Sequence, residues 1–331
     1  MSANGVTVVA ELAAGNLTGL SCELLGLARR LAEQIGGPVC AVCPGADERA
    51  AVELIAHGAD RVYAAGEPAL ADYDSDGWTA CVAAAAREAR PAAVLIGQTT
   101  SGADLAPRLA FRLEAAVATG CVAVAVEGGA LRFTRPCYGG NVRETVSFKT
   151  SFAVATVRAG CYDALQRDPQ RAGETTTIEL DKTAQRARVL ERQRDSGSDV
   201  RLEEARVVIA GGRGMNGPEG FEVLAELARE LHGAVGASRV PCDLGWCPHS
   251  MQIGLTGKTV TPELYIAVGI SGAGQHMAGC GNARNIIAIN TDAAAAIYKD
   301  ARWGVVGDYR KVIPSLVEAI RAIRSAAEKS E

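Results

Sequence analysis

Three segments beyond residue 205 carry residue types whose spacing suits a phosphorylated or electron-rich ligand. Gly212-x-Gly214-x-x-Gly217 stands between the apolar run 205–210 and a helical run that starts at Glu219. Glycines at this spacing allow a tight strand-to-helix turn and let a pyrophosphate approach backbone amides. The same spacing also arises as a plain turn that needs glycine. The acid that would take a ribose hydroxyl at the end of the next strand is missing, and Ser238-Arg239 stands there instead. A guanidinium at that place suits a phosphate or the electron-rich edge of an aromatic cofactor. The second segment, Gln252-Ile253-Gly254-Leu255-Thr256-Gly257-Lys258, offers amides, a hydroxyl and a cation. It lacks the spacing of a Walker phosphate loop and, taken alone, reads as a turn. The third is Leu264 to Val268 running into Gly269-Ile270-Ser271-Gly272-Ala273-Gly274-Gln275-His276, a buried strand that ends in a glycine-rich turn at a helix start. A lone histidine on such a loop is more often a packed or capping residue than a ligand.

Other chemistries find less support. No Ser-His-Asp or Cys-His pattern for a nucleophile is evident, and the absent acid argues against direct use of NAD by the glycine turn. Most of the ten cysteines sit in apolar runs and read as small buried hydrophobes. Cys40-x-x-Cys43 falls on a strand, whereas a redox or zinc pair wants a turn or helix start. Cys242, Cys247 and His249 form a looser C-x4-C-x-H cluster, read as loop packing ahead of a metal site. No metal is expected.

The elements that must position these residues alternate strand and helix. Strands are predicted over 6–12, 39–42, 61–63 and 93–96, and helices over 21–35 and 48–56 and in an Ala-rich run that ends near Ala89. The loop Gly97 to Asp104 then opens a helix with Ser101 or Asp104 as its cap. From Gly120 to Val157 the period becomes two, with a hairpin at Gly128-Gly129 and strands over 142–148 and 153–157. Residues 158–185 read as polar and irregular. Mixed charge around Ser196-Gly197-Ser198 marks a linker. Beyond it, strands over 205–210, 234–237, 264–268, 285–289 and 304–306 alternate with helices, the last holding Leu316, Ile320 and Ile323. The expected fold is α/β in two domains, 1–195 and 205–331 with a linker over 196–204, the second a doubly wound parallel sheet.

A net charge of -4 leaves no basic footprint for nucleic acid. No apolar run is long enough to span a bilayer, and neither a signal peptide nor an Arg-rich leader is expected. A bacterial cytoplasm is the expected compartment, with a trimmed mitochondrial-matrix protein as the alternative.

The string from Leu264 to His276, followed by Gly279 and by Ile286 to Asn290, resembles the pattern of electron-transfer flavoprotein alpha subunits. Similar stretches run through the chain: 99–108 and 133–141, then Gly211 to Gly214, Gly236 to Arg239, Thr256 to Lys258 and Pro262 to Tyr265. The resemblance implies an N-terminal domain of nucleotide-hydrolase-like α/β type that docks a beta subunit, and a C-terminal domain that binds FAD. It implies a heterodimer whose beta subunit carries AMP, or a second FAD in bifurcating relatives that oxidise NADH. It also implies electrons arriving from acyl-CoA dehydrogenase-type flavoenzymes and leaving to a quinone oxidoreductase, with no catalytic residue.

Carried over by position, Arg213, Ser238, Ile253, Gly254, Leu255, Thr256, Ser271, Gly272, Ala273, Gly274, Gln275, His276, Asn290, Asp308 and Tyr309 would touch FAD. Arg239 would lie against the isoalloxazine ring, Thr256 would bond near N5, and His276 would face the pyrimidine oxygen O2. Ser271, Asn290 and Asp308 would hold the pyrophosphate and adenosine parts. Positive groups near the N1–O2 edge would stabilise the charge of one-electron reduction. The sequence departs from the family pattern at Leu255, where Gln is frequent, at Gly274, where Ile or Val is frequent, and at Tyr309, where Leu is frequent. A shifted flavin potential is expected from these changes. Two readings of other classes are an NAD-dependent enzyme and a nucleotide-binding regulatory module in residues 1–195.

Overall fold

Runs of Val, Ile and Ala too apolar for a surface become the central strands of two parallel sheets, one in each of two compact units, Met1–Arg194 and Asp195–Glu331. The structure is a computed structural model of the chain and describes residues 5–65, 70–138, 142–150, 152–178, 202–203 and 205–328. The linker expected over 196–204 lies outside the described residues except for Leu202 and Glu203, as does the family-like Gly139-Gly140-Asn141. Leu202 is buried with Ala205 and Ile253 in the second unit's core.

The first unit runs β1 (Val6–Val9), β2 (Leu12–Ala13), β3 (Asn16–Leu17), α1 (Gly19–Ile35), β4 (Val39–Pro44), α2 (Glu48–Ala56), β5 (Arg61–Ala65), α3 (Ser75–Ala89), β6 (Ala93–Gly97), α4 (Thr100–Arg112), β7 (Ala116–Cys121), β8 (Ala123–Glu127), β9 (Ala130–Cys137), β10 (Val142–Val146), β11 (Ala153–Val157) and β12 (Glu174–Thr177). Seven strands form one parallel sheet in the order β12-β5-β4-β1-β6-β11-β7, and β8, β9 and β10 form an antiparallel sheet. Alternate residues divide between the faces: Val6 and Val8 pack with Leu24 and Leu27 of α1, and Val9 and Ile96 with Val82 of α3 and Leu105 of α4. Each such buried side chain contributes roughly 1.5–3 kcal/mol. Cys40 and Cys43 fall on opposite faces of β4, so they cannot act as a pair.

Two readings change here. Neither Ser101 nor Asp104 caps α4. Thr99 does, with extended φ/ψ and its Oγ1 accepting from Gly102 N at 2.9 Å. The stretch read as irregular, 158–185, contains β12, which pairs with β5 at the sheet edge. Its Thr run is β-branched, but without apolar alternation an edge strand leaves little signal.

The second unit runs β13 (Val207–Gly211), α5 (Glu219–Glu230), β14 (Ala234–Ala237), α6 (Arg239–Asp243), β15 (Leu264–Val268), α7 (Gly274–Cys280), β16 (Ile286–Asn290), β17 (Trp303–Val306) and α8 (Tyr309–Glu328). Its five parallel strands lie in the order β14-β13-β15-β16-β17. The chain starts at β13, steps to one side and then builds on the other, so the order reverses between β13 and β15. Leu224, Ile313 and Val317 from α5 and α8 pack on Ile209, Ile266 and Ile289, while Val208, Ala210 and Ala267 face a second core with Ile253 and Ile297. Leu316 and Ile320 pack against the first of these cores, but Ile323 is 69% exposed. Among the described residues no helix is long and apolar enough to cross a membrane.

Candidate functional site

In a parallel sheet every strand delivers its next residue to the same edge. In the second unit Arg213 follows β13, Ser238 and Arg239 follow β14, Ser271 to His276 follow β15, Asn290 ends β16, and Asp308 follows β17. Ligands in open α/β sheets bind outside these carboxyl ends, at the place where the strand order reverses.

The reversal is bridged by backbone alone. Gly212 N donates to Val268 O at 2.8 Å and Gly214 N to Gly269 O at 3.0 Å. A Cβ on Gly212 would stand 2.7 Å from the Gly269 carbonyl carbon and 2.8 Å from Ile270 Cα, so only glycine allows this approach. Gly272 has φ +83°, and a Cβ there would stand 2.5 Å from Ile297 Cα. These turns leave Arg213, Ser271 and Gln275 exposed on the edge. At the start of α7 the amides of Gly274 and Gln275 precede the first intrahelical bonds, which His276 and Met277 make to Ala273 O.

The loop read in isolation as a turn is tied into the same edge. Ile253 N donates to Ala237 O at 2.8 Å, Leu255 N to Gln275 O at 2.7 Å, and Gly254 N to Lys258 O at 3.2 Å. Ile253 is buried, so its side chain anchors the loop, while Leu255 and Thr256 stay exposed. Gln252 Nε2 donates to Thr256 Oγ1 at 3.0 Å, which leaves the threonine's own hydrogen available to a ligand. On the far side Asn290 Nδ2 donates to Ile270 O at 2.9 Å, and Asp308 accepts from Arg310 N at 2.9 Å, capping the start of α8. The exposed Arg239 guanidinium pairs with Asp243 at 3.1 Å, one turn along α6.

Two residues are placed differently from the sequence reading. His276 is 7% exposed and both its ring nitrogens are engaged within the protein. Nδ1 lies 3.1 Å from the Ile253 carbonyl, which only accepts, so Nδ1 carries the hydrogen and donates there. Nε2 then accepts from the Tyr265 hydroxyl at 2.9 Å. Burial holds the imidazole below its usual pKa, against the raising effect of the Ile253 bond, and raises the Tyr265 phenol well above its own. The ring is a neutral clasp between β15 and the 253–256 loop, with no N–H left over for a flavin oxygen. Tyr265 is the partner that the sequence did not reveal, because an aromatic residue in an apolar strand reads as core. The second is Tyr309, expected as a cofactor contact. Its ring is buried among α5 and α8 residues and its hydroxyl donates to Met215 O at 2.9 Å. A phenol that finds a buried carbonyl partner stays in the core.

The C-x4-C-x-H residues do not converge on one point: Cys242 and Cys247 are buried with their sulfurs 3.5 Å apart, and the His249 ring lies 3.4 Å from Gln252 Oε1.

Comparison with known proteins follows this geometry. An electron transfer flavoprotein domain model matches residues 6–183, and an electron transfer flavoprotein FAD-binding domain model matches 201–281. The alpha subunit of the electron transfer flavoprotein from Thermoanaerobacterium thermosaccharolyticum is 41% identical over 324 residues, covering 96% of this chain and 98% of that protein. The chain belongs to the electron transfer flavoprotein alpha-subunit family. The alpha subunit from Bacillus subtilis is 40% identical over 319 residues, 96% of this chain and 98% of that one. A protein named FixB from Clostridium saccharobutylicum is 40% identical over 326 residues, 97% and 98% of the two chains. The FAD-binding match takes in Arg213, Ser238, Arg239, the 253–256 loop and 271–276, while Asn290, Asp308 and Tyr309 lie beyond it.

Proposed function

We propose that this chain is the FAD-bearing alpha subunit of a heterodimeric electron carrier. In this reading a beta subunit docks beside it and holds AMP, electrons arrive from acyl-CoA dehydrogenase-type flavoenzymes, and a quinone oxidoreductase takes them. The observation that carries the reading is the convergence of five strand ends and the 253–256 loop on one edge of a family-typical FAD-binding domain. The donor set fits the group. Glycine turns with no room for side chains would admit a pyrophosphate, Ser271 and the first amides of α7 would hold it, and Asn290 with Asp308 would offer acceptors for the adenosine part.

FAD held there would supply reversible one-electron and two-electron chemistry. The chain's own residues set its terms. Arg239 and the start of α7 provide positive potential for the electron-rich ring edge. Thr256, its oxygen occupied by Gln252, would present its own hydrogen to a ring nitrogen. Neutral His276 acts as a positioning residue that ties the loop to β15. Leu255 is exposed and offers no side-chain hydrogen bond, and we assign to it a midpoint potential shifted from that of typical members. A redox titration that returns an ordinary midpoint removes that assignment.

The test is a visible spectrum of the chain co-produced with its beta subunit, followed by stepwise dithionite reduction. Bound flavin reduced in two separable one-electron stages supports the carrier. A colourless protein that FAD cannot reconstitute overturns it, and rapid bleaching by NADH moves it to a bifurcating complex.

A further inference from the structure

The segment between Ser238 and Gln252 is a closed excursion from the sheet. Its base is pinned where Ser238 N donates to Gly211 O at 2.9 Å and Ile253 N to Ala237 O at 2.8 Å. Two cysteines meet inside it. Cys242, on α6, and Cys247, on the return, bring their sulfurs to 3.5 Å. The Cys242 sulfur also lies 3.6 Å from the Ser238 and Pro248 carbonyls. Both cysteines are free and belong to the second unit's core, while their sequence neighbours Asp243 to Gly245 and Pro248 to Ser250 are exposed.

We propose that Cys242 and Cys247 form a reversible disulfide when the protein meets a hydroperoxide. Cys247 is the more exposed, at 9% against 3%. Its thiolate attacks a peroxide oxygen, the O–O bond breaks, and a sulfenic acid and water result. The Cys242 sulfur then attacks the Cys247 sulfur and displaces a second water. Two thiols and one hydrogen peroxide give one disulfide and two waters. The sulfurs need close by only about 1.5 Å to reach bonding distance. Burial pushes the Cys247 thiol up to about 12, so oxidation is slow at neutral pH and quickens about tenfold per pH unit as the thiolate fraction grows. The cross-link ties α6, which begins at Arg239, to the strand of loop that leads into Gln252 and Thr256.

The experiment treats the full-length protein with hydrogen peroxide, denatures it, alkylates free thiols and maps tryptic peptides. The peptide between Arg239 and Lys258 holds Cys242 and Cys247 and no other cysteine. The expected result is a peptide lighter by two hydrogens, with no alkyl group, restored by dithiothreitol. In Cys242→Ser the reaction stops at a sulfenic acid on Cys247 that dimedone traps, and in Cys247→Ser the Cys242 thiol stays alkylatable. Hydrogen exchange through 239–252 should slow in the oxidised wild type. Full alkylation of both residues after peroxide, added oxygen in place of lost hydrogen, or pairing with another cysteine overturns the proposal. The mass readout needs no flavin, so it stands or falls separately from the electron-carrier reading.

Discussion

In both domains the first strand lies between neighbours added on opposite sides, β4 and β6 around β1, and β14 and β15 around β13. That reversal leaves a crevice at the strand ends, and the two domains treat it differently. In the first, Glu11 and Thr99 follow β1 and β6, and Thr99 Oγ1 donates to Glu11 Oε1 at 2.6 Å. Glu11 N donates to Ser21 Oγ at 2.8 Å, and Gln98 Oε1 accepts from Gly120 N at 3.0 Å and from Thr156. Burial raises the Glu11 pKa despite the Thr99 bond. The edge is lined by the chain's own half-buried polar side chains, hydrogen-bonded to one another. In the second, glycines occupy the equivalent places and bond through backbone, leaving serine, arginine and amides exposed. The same topology carries a self-bonded polar lining in one case and an open glycine edge in the other, according to whether side chains or backbone line the reversal.

The largest test of this contrast is Gly212→Ala. The new methyl must push the Gly269 turn away, which costs about 3 kcal/mol in strain and lost backbone bonds. For a unit of this size that lowers its melting temperature by roughly 10 °C. Bound flavin should be lost, read as absorbance per protein. Retention of both melting temperature and flavin would break the claim that backbone approach shapes the edge.

Next comes the clasp. His276→Ala leaves the buried Ile253 carbonyl without a partner and the Tyr265 hydroxyl with Cys280 alone, at a cost of about 2–4 kcal/mol. Its pH signature has a definite sign. The folded His276 pKa lies below the usual 6.5, so its contribution is full above that value and declines as the pH falls below it. In the first domain Glu23 behaves in the opposite way. Burial lifts its pKa from 4.5 to about 7, with a smaller raising effect from Asp163 and an opposing bond from Gly160 N at 2.8 Å. The folded state then holds a proton that the unfolded state releases between 4.5 and 7, and stability falls as the pH rises through that window. Melting temperature against pH should lose its rising component in His276→Gln and its falling component in Glu23→Gln. Parallel curves for wild type and both variants would show that neither group is linked to folding.

Much of this was legible in the sequence for a simple reason. Fully apolar strands and glycine turns leave strong local signals, so β6, β15, β16 and the 269–276 turn are evident from residue type and spacing. What escaped depends on partners distant in sequence. Tyr265 lies eleven residues from the histidine whose ring it holds, and the sequence cannot show that they meet. Tyr309 is read as a ligand contact because it follows Asp308, whereas the carbonyl of Met215, far back in the chain, takes its hydroxyl. The cap of α4 was displaced to Ser101 or Asp104 because three candidate hydroxyls stand in a row, and only backbone geometry selects Thr99. Edge strand β12, polar and short, has no periodic burial to announce it.

A smaller effect is expected in the first domain's crevice. Thr99→Val removes the α4 cap and the bond to Glu11, a loss of about 1–2 kcal/mol. Flavin content should not change, because the second domain's edge is untouched. If flavin content fell along with stability in this variant, the division of labour between the domains would be wrong.

The smallest effect is expected where a glycine has no structural duty. Gly274 opens α7 with an ordinary φ, and a Cβ there would meet nothing within 4 Å. Glycine's backbone freedom alone would loosen the turn before Gln275. The bonds argue otherwise: Leu255 N already holds Gln275 O at 2.7 Å and His276 N holds Ala273 O at 2.9 Å. Gly274→Ile should therefore raise stability by about 0.5 kcal/mol through helix propensity alone. A change of that size corresponds to a midpoint shift of no more than about 20 mV for a one-electron couple. A titration of the variant beside the wild type decides the matter. A larger shift would mean that the turn moves when the ligand binds and that its freedom, rather than its fixed amides, sets the cofactor's environment.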